Sequence, residues 1–426
     1  MFIGDATWES CRIGNGLNTN NMISQLYIEN FRSIEKATFD FGRITLLTGS
    51  NNSGKSSVMY ALQCLQGIRQ NPNRPLDALF NLPAINLGGF KDVVYKKNER
   101  TDIVLKITLQ GREDYEVVYS INISSTISRT AYFIRRPIET PRDYFTFTFP
   151  FSNIGAKKSN LIPLPVDYGI QLCIDFDGFN FSLNQPYFPK PLPSKLKYDL
   201  EALLISLNGF HEVIELIPVR RGFIKPSFGR VPLQIDITTE DEIATQISLD
   251  LDLQDEISNY LKKITNRSFA VRVIPNTSVF FLRTTDLETG FENELVNEGT
   301  GTNQLVTMLA KALQPNKKFI CIDEPEIHLH PSMIEKLVEA LVEISYKQDK
   351  QFLLSTHSEH FVTCLLSEVV KKNLQPDDLK VYYLTKEQQT TKVEHQAVNA
   401  DGQIEGGLKN FYESELKNLE TFFKVT

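Results

Sequence analysis

The chain has 426 residues, enough for two to three domains. Hydrophobic residues make up 41% and charged residues 23%, and 45 Lys+Arg against 52 Asp+Glu leave a formal charge of −7, which excludes a uniformly basic nucleic-acid coat but not a local basic groove. No apolar run approaches the roughly 20 residues of a membrane span, the opening MFIGDATWESCRIGNGLNTNN lacks a secretory pattern, and five scattered cysteines form no CxxC pair, so the chain reads as cytoplasmic, with no membrane partner.

Residues 1–21 read as a leader, and Met22 is an alternative start. From Met22 the text becomes regular. Leu26, Ile28 and Phe31, then Ala37, Phe39 and Phe41, fall at strand spacing, and Ile44–Leu47 is a buried β run ending in Thr-Gly-Ser. After Gly54, KSSVMYALQCLQGIRQ carries Val58, Leu62 and Leu65 at helical spacing. DIVLKITL, YEVVYSINI and TAYFIRR predict antiparallel strands over about 99–135.

Between Pro137 and Pro193 lie nine of the twenty prolines, with eleven Phe/Tyr from Tyr144 to Phe188. Such density forbids long helices and predicts edge strands and loops of an inserted lobe. Helical spacing returns in ITTEDEIATQISLDLDLQDEISNYLKKI. Asp236 to Glu256 holds eight acids and no Lys or Arg, which predicts a solvated helix face, the alternative being an acidic docking face. From about 271 the β-α-β rhythm resumes: a Gly/Thr-rich turn into a helix, the strand KKFICIDEP, the helix PSMIEKLVEALVEIS, the strand KQFLLSTHS and the strand VYYLT. Alternation at both ends with a different texture between them predicts one α/β domain interrupted by an insertion.

Three strand ends carry chemistry. Gly49-Ser50-Asn51-Asn52-Ser53-Gly54-Lys55-Ser56 is a full GxxxxGK[ST] between a strand and a helix. Its N–H groups and helix N-terminus suit phosphate, Lys55 reaches the β- and γ-phosphates of ATP, and Ser56, followed by Ser57, suits Mg²⁺. Phe319-Ile320-Cys321-Ile322-Asp323-Glu324 delivers two acids at a buried strand's C-terminal end, placing Asp323 for Mg²⁺ and Glu324 to polarise an attacking water. Phe352–Ser358 ends in Ser-Thr-His, setting His357 at the same edge to sense the γ-phosphate and hold the water or Glu324.

This series resembles the ATP-binding-cassette (ABC) type of ATPase head. IENFRSIEKATFDF…LLTGSNNSGKSS and DEPEIHLHP are most similar to its OLD-like and SMC/RecF-related branch, many of whose members are ATPase subunits of bacterial anti-phage systems of the PARIS or retron type. The resemblance covers roughly 22–95 and 275–390. It implies an α/β, ABC-type P-loop head with a mixed sheet and a long β-rich and helical insertion. The head is expected over 22–135 and 271–395, the insertion over 136–270, and a C-terminal amphipathic helix over 396–426.

The resemblance also places a signature loop at Asn297–Gln304, where Gly299, Gly301, Asn303 and Gln304 would meet the γ-phosphate of a second subunit. It implies a homodimer or higher homo-oligomer that switches on ATP and holds or releases a separately encoded effector, a toprim-type nuclease. The rival reading is an ATP-dependent DNA clamp in repair or chromosome structure, so nucleic acid stays open as a partner. The expected Mg²⁺-contacting glutamine has no clear place; Gln66 and Gln70 are available. Glu326, His328 and His330 read as a family run rather than a metal set, and Arg220 and Arg221 as nucleic-acid contacts, partner contacts or a strand end.

Overall fold

The structure, a computed structural model, describes residues 22–404 except 71–73, 111–114, 126–128, 138–141, 150–157, 164–170, 177–180, 184–212 and 235–236. The leader 1–21 and, beyond Ile404, the helix expected over 396–426 lie outside the described residues. Residues 397–404 carry an isolated bridge, Val398 to Ile404, not helix.

Two sheets enclose the first helix. β1 (Met22–Phe31), β2 (Ile34–Asp40), β4 (Ile103–Gln110), β5 (Tyr115–Ile123), β6 (Arg129–Pro137) and β7 (Arg142–Phe149) form an antiparallel sheet in the order β2-β1-β4-β5-β6-β7. The expected antiparallel run is there, and β7 extends it. β8 (Lys158–Pro163), β9 (Gln171–Phe176) and β10 (Phe181–Leu183) make a three-stranded antiparallel sheet within the insertion.

The central sheet orders β11 (Ile214–Ile217), β16 (Phe319–Asp323), β17 (Gln351–Thr356), β3 (Ile44–Gly49), β18 (Leu379–Glu387) and β19 (Thr390–Gln396), all parallel except the last, which makes it mixed. The remaining strands, β12 (Phe228–Gly229), β13 (Arg267–Val273), β14 (Val279–Asp286) and β15 (Glu292–Glu294), form a separate small antiparallel sheet.

The apolar runs ITLL, FICI and FLL are continuous because the central sheet is covered on both faces. Leu47, Phe319, Cys321 and Leu353 face α1 (Lys55–Gln70) and the antiparallel sheet, in a core with Phe31, Phe39 and Leu62. Ile44, Leu46, Ile320, Ile322, Phe352 and Leu354 face the other way, onto α2 (Glu240–Leu249), α3 (Leu251–Thr265), α4 (Thr300–Ala312), α5 (Pro331–Lys347) and α6 (Glu359–Val370). At about 1.5–3 kcal/mol per fully buried large aliphatic or aromatic side chain, this two-sided burial holds the strand ends in register.

Two features differ from the sequence reading. The strand β11, inside the segment read as the insertion, pairs in parallel with β16 as an edge of the central sheet. Its short apolar run, Ile214-Glu215-Leu216-Ile217, gives no local hint of that partner. The acidic stretch is two helices, not one, because Asp250 is extended and its side chain accepts from Leu253 N at 2.9 Å as the N-cap of α3. The acids also cap α2: Glu242 Oε2 accepts from the N–H groups of Thr238 and Thr239 at 3.1 and 3.0 Å, closing a capping box.

Candidate active site

Parallel register gathers the three strand ends. Asp323 on β16 pairs with Ser355 on β17, Thr356 on β17 with Thr48 on β3, and Gly49 on β3 with Leu384 on β18. The loop after β3 then wraps back into α1. Gly49 has φ 135°, and a side chain there would run into the Leu384 carbonyl, so this turn needs glycine. Asn52 is left-handed with φ 61°, and Ser53 is buried with its N–H donating to Ser50 O at 3.3 Å.

Asn51, Asn52, Ser53, Gly54, Lys55, Ser56 and Ser57 line one side of a cavity of about 730 Å³, and Asp323, Glu324 and His357 line another. Lys55 Nζ donates to the carbonyls of Gly49 and Ser50, each at 3.0 Å, and lies 3.4 Å from His357 Nδ1. His357 Nε2 is 3.5 Å from Glu324 Oε1. Burial lowers the Lys55 pKa, against the pull of Asp323, Glu324 and Glu326. Burial, then the Lys55 ammonium, lowers that of His357, which favours a neutral ring at pH 7.

Ser56 Oγ donates to Asp323 Oδ2 at 3.0 Å, and Ser355 Oγ donates to Asp323 Oδ1. These oxygens fit Mg²⁺: neighbouring ligands of an octahedral ion with bonds of 2.0–2.1 Å stand about 2.9 Å apart. Ser56 and Asp323 are the residues that would hold it, beside the phosphates.

Other residues reach the cavity without a local sequence pattern that marks them. Arg32 from the β1–β2 turn lies over the Tyr60 ring at 5.3 Å; Lys96, Lys97, Lys386 and Gln389 also line the cavity. Five cations, Arg32, Lys55, Lys96, Lys97 and Lys386, thus line the space against three carboxylates, Asp92, Asp323 and Glu324, a positive balance that suits a polyphosphate. Thr391 Oγ1 donates to Ser53 O at 2.8 Å and lies 2.7 Å from Ser33 Oγ, tying the phosphate loop to β19 and to the β1–β2 turn. Gln66 is not near the metal oxygens; its Oε1 accepts from Ile214 N at 3.0 Å and links α1 to β11. Gln70 lines a different cavity.

The signature loop is not brought to the phosphate loop in this chain. Gly299 is the exposed N-cap of α4, with open space about it. Gly301 packs inward: a Cβ there would meet His328 O at 2.5 Å. Asn303 is committed to the Phe223 backbone, accepting from its N–H at 2.7 Å and donating to its carbonyl at 2.8 Å. Gln304 is buried as well. Of the four residues expected on a second phosphate, only Gly299 is presented to solvent.

In the Glu-x-His-x-His run, Glu326 and His330 make contacts within the fold. Burial raises the Glu326 pKa, and the Thr356 hydroxyl donates to its Oε1. His330 caps α5, its Nδ1 accepting from Ser332 N at 3.3 Å, and no cluster of three or more His, Cys, Asp or Glu fit for a metal occurs among the described residues. Arg221 is part-buried and its terminal nitrogens are committed to backbone carbonyls. Its Nη1 donates to Asp323 O and its Nη2 to Glu324 O, both at 2.8 Å, and burial lowers its pKa only to about 10, so it stays charged.

The family described as AAA ATPase domain matches residues 22–164 and 229–362, most of the chain. The chain belongs to that family. It is a P-loop ATPase that hydrolyses ATP. An ATP/GTP phosphatase of Helicobacter pylori (strain ATCC 700392 / 26695) is 22% identical over 384 residues, 86% of this chain and 94% of its own length. Endonuclease GajA of Bacillus cereus (strain VD045) is 25% identical over 368 residues, 79% of this chain but 55% of its own length. A solved SMC head bound to the C-winged helix domain of ScpA superposes with a TM-score of 0.51 at 16% identity, over 88% of this chain and 98% of that one, which shows an SMC-like head fold. Among the described residues no helix is long and apolar enough to cross a membrane.

Proposed function

We propose that this AAA-family ATPase is a dimeric ATP switch in which Glu324 is the general base, serving a separately encoded nuclease effector in anti-phage defence. The observation that carries the catalytic part is the Lys55–His357–Glu324 chain beside the Ser56–Asp323 pair. Lys55 meets the β- and γ-phosphates, Glu324 takes the proton of the attacking water, and neutral His357 orients Glu324 from the side. Ser56 and Asp323 would hold Mg²⁺, which would supply charge neutralisation at the phosphates.

The dimer is supported by the exposed Gly299 at the start of α4, a helix N-terminus with no side-chain cap, which suits a second γ-phosphate. The defence role is supported by the OLD-like resemblance of residues 28–57 and 323–331 and by the similarity to a protein named as an endonuclease, of which this chain covers 55%. Glu324→Gln tests the reading. It is expected to bind ATP with wild-type affinity, to lose turnover by about 10²–10⁴-fold, and to run as a dimer in the presence of ATP and Mg²⁺. Wild-type turnover would remove Glu324 from its role, and a monomer under those conditions would remove the dimer.

A further inference from the structure

Glu324 sits in the left-handed region with φ 50°, a conformation that costs a non-glycine residue on the order of 1 kcal/mol and persists only where its surroundings enforce it. What enforces it is visible. Glu324 N donates to Ser355 O at 3.0 Å, and the guanidinium of Arg221 grips the two successive carbonyls of Asp323 and Glu324 from the other side. Arg221 Nη1 also donates to Pro218 O at 3.1 Å, within its own turn. A planar fork can hold two adjacent carbonyls at once; a lysine ammonium is a single point with no such geometry.

The turn that carries Arg221 is itself anchored. Gly222 has φ 128°, and a Cβ there would stand 3.1 Å from Asn303 Oδ1. One residue on, both backbone groups of Phe223 are taken by the Asn303 amide, and the Phe223 ring is buried against Phe228, the centroids 5.6 Å apart. Pro218–Phe223 therefore runs from the first turn of α4 to the C-terminal end of β16 with every link a named hydrogen bond.

We propose that Pro218–Phe223 is a strap through which α4 sets the backbone of the general base, with Arg221 as a positioning residue for ATP hydrolysis and Asn303 as its anchor. The inference rests on Glu324 being that base. Arg221 commits its two terminal nitrogens to the backbone carbonyls of Pro218, Asp323 and Glu324; it acts on where the Glu324 carboxylate points. A shift of about 1 Å in a catalytic group costs on the order of a hundredfold in rate.

The test compares Arg221→Lys, Asn303→Asp, Glu324→Gln and the Arg221→Lys/Glu324→Gln double variant of the full chain, by steady-state ATP turnover and by equilibrium binding of a fluorescent ATP analogue. Arg221→Lys is expected to lower kcat by about ten- to a hundredfold with nucleotide affinity changed less than about threefold. In the Glu324→Gln background the same change should be nearly silent, within about twofold, because the group it positions is gone. Asn303→Asp keeps the acceptor for Phe223 N and loses the donor to Phe223 O, so it should lower kcat in the same sense but less.

Equal kcat in wild type and Arg221→Lys, or losses that multiply in the double variant, overturn the strap while leaving Glu324 in its role. Wild-type turnover in Glu324→Gln overturns the base assignment and the strap's target with it. Should Arg221→Lys fail to fold, Asn303→Asp decides: a lowered kcat with intact affinity supports the strap, and an unchanged kcat ends it.

Discussion

His357 lies between the two groups that turnover must coordinate, with Nδ1 3.4 Å from the Lys55 ammonium and Nε2 3.5 Å from the Glu324 carboxylate. A neutral ring suits both: one nitrogen accepts from Lys55 and the other N–H faces Glu324. His357→Gln is expected to lower kcat at least tenfold with ATP affinity within about threefold, and a loss confined to affinity would contradict this role.

The same pair sets a pH window. With the folded His357 pKa below its ordinary 6.5, the unfolded chain binds more protons between those two values. The contribution of this group to stability therefore rises with pH through that window and is flat above 6.5. The acid limb of kcat is expected below pH 6.5 and should change shape in His357→Gln. A midpoint at or above 6.5 in a pH–rate profile would refute the assignment.

Lys55→Ala removes a charged donor to the phosphates. Charge-assisted hydrogen bonds of about 1.5–3 kcal/mol translate into a loss of ATP affinity of about ten- to a hundredfold. Isothermal titration at fixed salt measures it, and wild-type affinity would show that the cavity does not hold the triphosphate in the way assigned.

Thr391 braces the phosphate loop from the far end of the chain, donating to Ser53 O at 2.8 Å. Thr391→Val keeps the shape and strands that buried carbonyl, at a cost of about 1–3 kcal/mol. Urea unfolding should show the loss, together with weaker nucleotide binding because the loop loses its support. Unchanged stability would mean that the loop holds its shape unaided.

Lys350 is fully buried, with Nζ donating to Ala312 O at 2.5 Å and Gln314 O at 2.6 Å at the C-terminal end of α4. Burial lowers its pKa to about 7, and a neutral amine has two hydrogens for these two carbonyls. The unfolded lysine keeps its proton to about 10.5, so between pH 7 and 10.5 the unfolded state binds more protons and stability rises with pH. Lys350→Met should flatten that rise, by up to about 1.4 kcal/mol per pH unit. Parallel slopes for the two proteins would show Lys350 to be charged in the fold.

The chemistry was legible in the sequence because it sits at strand ends. GSNNSGKS, ICIDE and LLSTH each join an apolar run buried on both faces to a polar cluster, and period and composition declare such runs locally. The order of the strands then makes it natural for Lys55, Asp323, Glu324 and His357 to share one edge, since parallel strands all present their C-terminal ends on the same side. What the sequence could not declare was which distant backbone each polar side chain would serve. Gln66 reaches Ile214, Asn303 is spent on Phe223, Thr391 reaches Ser53, and Arg221 holds Asp323 and Glu324, all across large sequence separations. A hydrogen bond to a main-chain N–H or carbonyl carries no residue-type signature at the backbone end, so its partner is chosen by where folding brings the backbone. Hydrophobic periodicity determined the layers and the catalytic edge; only tertiary packing decided the supports beneath it.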